Sequence, residues 1–418
     1  MTARPLTLSQ NYLATVRSTV ELHKLIADGK GDDSEGDEIR DASANTWAAL
    51  SRTERERARW VSEDLYSLHE KPPARREMTR EAQTALNEAY EAKMRGEWDN
   101  ALALLRDWQA YFDPALVNYL RGSIWFDAGD VMLAGIFFEN AHQLDPTNLN
   151  YSSISLHCLS VADPKRALQE ADRILKDYKQ HSPVLYVRAA DIKLMSAKLL
   201  SDAEGNRVFL SLEPVLKEAV QIAQTDPTKI DATTVVMAFG LLGFGYEFQG
   251  RLHDAVNHYS MGIHIDPDND GLLVARGMIL YGSHGLGIAD LEQAIGLGSP
   301  LIWPFAILAH HALKTHQYKK CIQLCEKALG NKGSPAVKSE IREWEAIAQA
   351  ALEYSPGSIE QAFEQAARLD AANERAKRNL KKLMNAPRRP SASYFEVRSE
   401  AELRTSALAE RRYAMVGT

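Results

Sequence analysis

The chain has 418 residues, 45% of them apolar and 25% charged, and its 49 Lys and Arg stand against 56 Asp and Glu for a formal net charge of -7. Those proportions exclude a wholly disordered, collagen-like or fibrous chain. Three cysteines, Cys158, Cys321 and Cys325, are too few for a disulfide framework, no run of about 18 apolar residues offers a membrane span, and the first residues lack a signal-type apolar core. A cytoplasmic protein is therefore expected.

Charge is distributed unevenly along the chain. Residues 1–80 carry 13 basic and 14 acidic side chains, residues 374–418 carry 11 and 5, and the segment between them holds 25 and 37. An acidic body with a basic tail can attract its own tail or an anionic partner.

Near the start, Leu8, Tyr12, Val16 and Val20 recur at a spacing that places them on one side of a helix, which Gly29 and Gly31 end. The acidic run that follows has little to bury, so residues 29–42 are expected to form a flexible linker. Ser51 and Glu54 have capping-box spacing and predict a second helix with Val61, Leu65 and Leu68 as its stripe, stopped by Pro72 and Pro73. Residues 1–80 thus make a small N-terminal helical region.

From residue 82 onward, paired amphipathic helices are punctuated by Asp113-Pro114, Asp145-Pro146, Asp226-Pro227 and Asp266-Pro267. The spacings are close to one or two units of about 34 residues. In the sharpest unit, Phe239, Leu242, Gly243 and Tyr246 precede a turn at Gly250, then Ala255, Tyr259 and Gly262 precede Pro267. A second unit places Gly122, Trp125, Gly129, Ala134, Phe138, Ala141 and Pro146 at the same offsets. Small groups at Gly243, Ala255 and Gly262 allow two helices to approach closely, while the aromatics fill the space between layers.

This pattern resembles the tetratricopeptide repeat. The resemblance spans about three quarters of the chain and implies an all-α, right-handed α-solenoid of about eight helical hairpins over residues 82–372. A polar capping helix at 373–386 completes an array over residues 81–386, and a basic tail with a short helix at 400–413 occupies 387–418. Residues 200–212 read as an insertion loop in the fourth unit and a candidate contact element, and Ser283–Gly287 as a shortened turn in the sixth.

The resemblance also implies a concave surface lined by the first helices, which holds a protein or peptide partner. Projected onto that surface, the outward offsets are Tyr119, Phe126, Tyr186, Phe244, Phe248, Met278, Tyr281, Trp303, His310 and Trp344; each has packing between repeats as its competing role. The carboxylate-clamp offsets in the first three units hold Leu86, Tyr90, Tyr119, Ser123 and Ser153, which argues against capture of a free C-terminus. An apolar or amphipathic segment fits better. Arg121, Arg188 and Arg276 recur before the small residue of three units, either as a basic ladder or, more economically, as partners of acidic neighbours.

No catalytic residue, cofactor or metal is expected. Cys321 and Cys325 with His310, His311 and His316 have zinc-ligand chemistry, but both cysteines occupy repeat core offsets. Gly240–Gly245 lies within a helix and lacks the strand and lysine of a phosphate loop. Arg388, Arg389, Arg411 and Arg412 make too small a basic face for nucleic acid beside an acidic body. The functional expectation is a non-enzymatic adaptor or scaffold. The alternatives are a ligand- or peptide-responsive sensor with the N-terminal helices as its output module, motivated by the acidic linker and residues 1–70, and, less favoured, a metal-dependent enzyme.

Overall fold

A computed structural model describes residues 9–68, 73–196, 202–284, 286–386 and 390–403. These residues are helical with no strand among them, and they fall into two compact units, Met1–Lys176 and Asp177–Thr418.

The first unit opens with α1 (Gln10–Ala27), α2 (Ser34–Ala48) and α3 (Arg52–Ser67). Three hairpins follow: α4 (Arg80–Arg95) with α5 (Trp98–Asp107), α6 (Pro114–Asp127) with α7 (Val131–Leu144), and α8 (Leu149–Ala162) with α9 (Pro164–Lys176). In α1, Tyr12, Val16 and Val20 are buried as their spacing requires; Leu8 lies outside the described residues. The α3 capping box forms, with the Ser51 N–H donating to Glu54 Oε2 at 2.9 Å and the Glu54 N–H donating to Ser51 Oγ at 3.3 Å. The Ser9 N–H also reaches Glu54, and these donors hold the Glu54 carboxyl down at about 2.

The flexible linker expected over 29–42 is instead helical from Ser34. Glu35 and Asp37 stand in the first turn of α2, where negative charge complements the helix dipole. Arg40 draws the run together, donating to Asp37 at 2.8 Å and to the Gly31 carbonyl at 2.7 Å. Self-repulsion is thereby replaced by local pairing.

The N-terminal helices are not a separate domain, because Tyr12, Val61 and Leu65 share one apolar core with Ala101, Trp125 and Phe138 of the first hairpins. Two buried carboxylates tie them together. Asp130 accepts from Arg57 Nε at 3.0 Å, from Arg57 Nη2 at 2.6 Å and from the Tyr12 hydroxyl at 3.0 Å. Asp64 accepts from Trp125 Nε1 at 2.8 Å. Burial pushes both carboxyls up, and Arg57 and Arg121 oppose it.

The second unit holds five hairpins and a cap. They are α10 (Pro183–Ser196) with α11 (Asp202–Thr225), α12 (Ala232–Phe248) with α13 (Leu252–Ile265), α14 (Asp270–His284) with α15 (Ile288–Gly296), α16 (Ile302–Lys314) with α17 (Tyr318–Leu329), and α18 (Pro335–Ala351) with α19 (Pro356–Leu369). The polar α20 (Glu374–Met384) packs on α19. The eight hairpins expected from the repeat are present, and they are tetratricopeptide-like in their packing. A side chain at Gly122 would meet the Phe138 ring at 2.8 Å, one at Gly243 the Tyr259 ring at 2.5 Å, and one at Gly277 Leu291 at 2.9 Å. In the seventh hairpin Cys321 and Cys325 take the corresponding core offsets and are buried.

Residues 202–212 are not an insertion loop; they extend the N-terminus of α11, while residues 197–201 lie outside the described set. The cause is apolar. Phe209 is buried against Gly245 and stands edge-on to Tyr246 at 5.3 Å, and Gly205 receives Phe248. The glycines of Gly240–Gly245 therefore accept Leu272, Tyr259 and Phe209 from three neighbouring helices. No helix among the described residues is long and apolar enough to cross a membrane.

Among the described residues, two turns contain non-glycine residues in left-handed conformation, His316 with φ 61° and Glu353 with φ 58°, where other hairpins use Gly129 or Gly250. His316→Gly is expected to raise stability by about 0.5–1 kcal/mol by removing that strain, while Gly245→Ala lowers it by about 1–3 kcal/mol by overpacking against Phe209; urea midpoints read both. In the first unit, Arg57→Met leaves Asp130 buried without its cation and is expected to cost about 3–5 kcal/mol. Arg57→Met combined with Asp130→Leu should cost less than Arg57→Met alone, and an equal or larger loss in the double variant would show that the ion pair itself supplies the stability.

Candidate functional site

In the second unit, the first helices of four successive hairpins enclose a cavity of about 500 Å³. Met195 on α10, Met237, Gly240, Leu241 and Phe244 on α12, Leu272 and Val274 on α14, and Trp303 on α16 form its apolar wall. The spacing of Met237, Gly240 and Phe244 puts them on one stripe of α12, and Gly240, having no side chain, leaves the hollow between the other two. Asp191, Asp266 and Asp270 stand half-buried at the same cavity and give it an acidic edge. Trp303 is buried, and its indole N–H has no hydrogen-bond partner among the described residues.

Of the ten residues projected onto a groove, Phe244 and Trp303 line this cavity. Tyr119 and Phe126, in the first unit, are half-buried beside Tyr151 and His157. The other six are buried and are corrected from groove to core. Tyr186 packs edge-on against Tyr178, Phe248 fills the space at Gly205, and Met278 belongs to the apolar core. Tyr281, His310 and Trp344 make a continuous internal row: the Tyr281 hydroxyl stands 2.8 Å from His310 Nδ1, and the His310 and Trp344 rings are 5.2 Å apart.

That row is covered by the chain's own C-terminal segment. Residues 390–403 return across α16, α18 and α20, burying Phe395 against Phe363 and Leu403 completely. The two anchors contribute about 1.5–3 kcal/mol each. Polar contacts set the register. Asn379 on α20 accepts the Glu396 N–H at 2.8 Å and donates to the Glu396 carbonyl at 2.9 Å. Arg398 pairs with Glu340, and Glu396 pairs with Arg378 at 2.8 Å and Lys382 at 3.0 Å. The Ser399–Glu402 capping box forms and residues 400–403 are helical. The rest of the helix expected at 400–413, along with Arg388, Arg389, Arg411 and Arg412, lies outside the described residues.

His310 Nε2 lies 2.8 Å from the Arg398 carbonyl. A carbonyl only accepts, so Nε2 carries the proton and Nδ1 accepts from Tyr281. Burial lowers the imidazole to about 4; the Arg398 carbonyl and Glu400 work against that fall, and Lys314 and Arg375 reinforce it. Glu340 moves the other way, pushed up by burial and held back by Arg398 and Arg375.

The arginines recurring before the small residues are paired, not laddered. Arg276 makes two 2.7 Å bonds to Asp290, Arg188 pairs with Asp191 at 3.2 Å, and Arg121 donates to Ser67 at 2.9 Å. Among the described residues no three His, Cys, Asp or Glu side chains converge as a metal would require. Cys321 and Cys325 are 4.0 Å apart, and burial raises the Cys325 thiol.

No family model matches the sequence, and no curated protein matches it. Solved structures are similar in fold. A tetratricopeptide repeat protein from Parabacteroides merdae is 14% identical over 65% of this chain and all of its own, with a TM-score of 0.40. The Cut9–Hcn1 hetero-tetramer of the APC/C is 13% identical over 89% of this chain and 97% of its own, at 0.37. A MamA double mutant is 18% identical over 53% and 96%, at 0.28.

His310 should remain neutral, with its proton on Nε2, until the pH approaches about 4, as read from its ring nitrogen shifts in the full chain. A depressed base contributes fully above its ordinary value of about 6.5, and the contribution is lost as pH falls toward 4, because only the opened state takes the proton in that window. Phe395→Ala with Arg398→Ala, which loosens the cover, should move the titration back upward.

Proposed function

We propose that the protein is an interaction scaffold that binds an apolar or amphipathic segment of a protein partner in the cavity formed by α10, α12, α14 and α16. The single observation that carries this reading is the cavity itself: about 500 Å³, walled by Met195, Met237, Leu241, Phe244 and Trp303, and edged by three aspartates. Helix pairs supply a preformed surface, so a partner can dock without costly rearrangement. Apolar anchors would fill the wall, and lysine or arginine beside them would meet Asp191, Asp266 and Asp270.

The sensor reading has less behind it. A detachable output module needs few ties to the array, whereas Tyr12, Arg57 and Asp64 are bound into buried contacts with the second hairpin.

Selection of a displayed peptide library against the full chain should enrich apolar anchors flanked by Lys or Arg. Met237→Lys and Asp270→Lys should each weaken the selected peptides at least tenfold with unchanged melting temperature, while Met94→Lys, on an exposed side chain of α4, leaves binding intact. Peptides that bind both cavity variants as tightly as the unaltered chain would refute the assignment.

A further inference from the structure

The face of α16, α18 and α20 bears the marks of a peptide site whose resident occupant is the chain itself. Its central group is the Asn379 amide, which grips the backbone of one residue of the returning segment through both of its polar atoms, taking the Glu396 N–H and donating to the Glu396 carbonyl. An amide can present those two atoms in either order, and a buried network sets the order. Asn379 Nδ2 also donates to Glu343 Oε1 at 2.7 Å, and Glu343, with no exposed surface, is held by Arg375 through bonds of 3.0, 3.0 and 2.8 Å. Because a carboxylate only accepts, it compels the nitrogen of Asn379 to face it and leaves the oxygen for an incoming N–H. Two residues further along, His310 Nε2 donates to the Arg398 carbonyl, so the backbones of alternate residues, Glu396 and Arg398, are read. Backbone reading tolerates different sequences; side chains then select among them.

The selection is visible in the occupant. Phe395 enters the apolar space beside Phe363, Glu396 lies between Arg378 and Lys382, and Arg398 meets Glu340. The two Glu396 pairs are partly exposed, with Arg378 at 56% and Lys382 at 38%, so they guide a segment without locking it. The occupant is joined covalently to its site, where a local concentration in the millimolar range keeps even a weak segment bound.

We infer that this face is a second protein-binding site, closed in the isolated chain by residues 390–403 acting as a built-in ligand. It opens to an extended partner segment that carries an aromatic residue, an acidic residue directly after it and a basic residue two positions later. The inference rests on the reading of the protein as an interaction scaffold but places the contact away from the Phe244 cavity.

The test uses the full chain with Phe395→Ala and Arg398→Ala, which empties the site without altering it, and a fluorescent synthetic peptide of residues 391–403. The emptied chain should bind the peptide at least tenfold more tightly than the unaltered chain. Adding Asn379→Ala should remove at least a further tenfold, and adding Met237→Lys should change nothing. Equal binding to emptied and unaltered chains, or indifference to Asn379→Ala, would overturn the inference. Loss through Met237→Lys would instead assign the peptide to the cavity and equally overturn it. Should the emptied chain lose its folding transition, isotope-labelled unaltered chain decides the matter. Millimolar unlabelled peptide should drive the Glu396 and Arg398 amide resonances to free-segment positions, whereas resonances that stay fixed would refute displacement. Appearance of a two-copy species with exchanged tails would make a second copy the occupant and refute a separate partner.

Discussion

Everything in both units depends on one contact made repeatedly: a position without a side chain, or with a very small one, on one helix receiving a large side chain from its neighbour. Gly122 takes Phe138, Gly243 takes Tyr259, and Gly277 takes Leu291, each so closely that a methyl group would collide. This contact fixes how near two helices of a hairpin lie, and hence which stripe of each first helix is left over after pairing. In α12 the demand is extreme. Gly240, Gly243 and Gly245 each admit a different neighbour, and the helix is buried on most of its circumference. A surface helix would show a polar face; α12 has almost none, and its remaining stripe of Met237, Gly240 and Phe244 becomes the wall of a cavity.

The same close packing explains how much could be read from the sequence. The hairpins were legible because small and aromatic residues alternate at fixed offsets, and the capping boxes at Ser51 and Ser399 because their chemistry is local. The groove was legible only in part. Offsets on a first helix say which way a residue leaves its hairpin partner, but not whether something else comes to cover it. His310, with Tyr281 and Trp344 beside it, is buried, and a segment some 90 residues later in the chain lies against it. Phe248 is buried because the extended start of α11 reaches it. The cavity was missed for the opposite reason: aromatic residues draw the eye, whereas a hollow is made by Gly240 and by the flexible side chains of Met195 and Met237. That spacing of i, i+3 and i+7 on α12 was present in the sequence and would have shown it.

Charge patterning misled in one place and informed in another. The run from Gly31 to Glu38 looks too acidic to fold, yet Glu35 and Asp37 fall in the first turn of α2, where they are favourable, and Arg40 pairs with Asp32 and Asp37. The asymmetry between acidic body and basic tail, by contrast, has a structural counterpart in the Arg398–Glu340 pair. It is not a simple attraction of opposites, for Glu396 of the same segment seeks Arg378 and Lys382 on the basic α20. The segment and its bed match charge for charge along their length, a finer complementarity than net charge could reveal.

That matching bears on why Glu343 is buried at all. A carboxylate with no exposed surface is costly, and an apolar residue of similar size would serve packing between α18 and α20 as well or better. What an apolar residue could not do is orient an amide. With Arg375 balancing its charge, Glu343 accepts from Asn379, and the outer edge of that amide is thereby set to meet one residue's backbone in one direction. A covering segment held only by Phe395 and Leu403 could slide by a residue at little loss, since apolar burial is indifferent to register. Asn379 and His310 remove that freedom by gripping the backbone at Glu396 and Arg398. The buried carboxylate is therefore best understood as the origin of register on this face, and register is a property needed for recognising a chain rather than for merely covering a core.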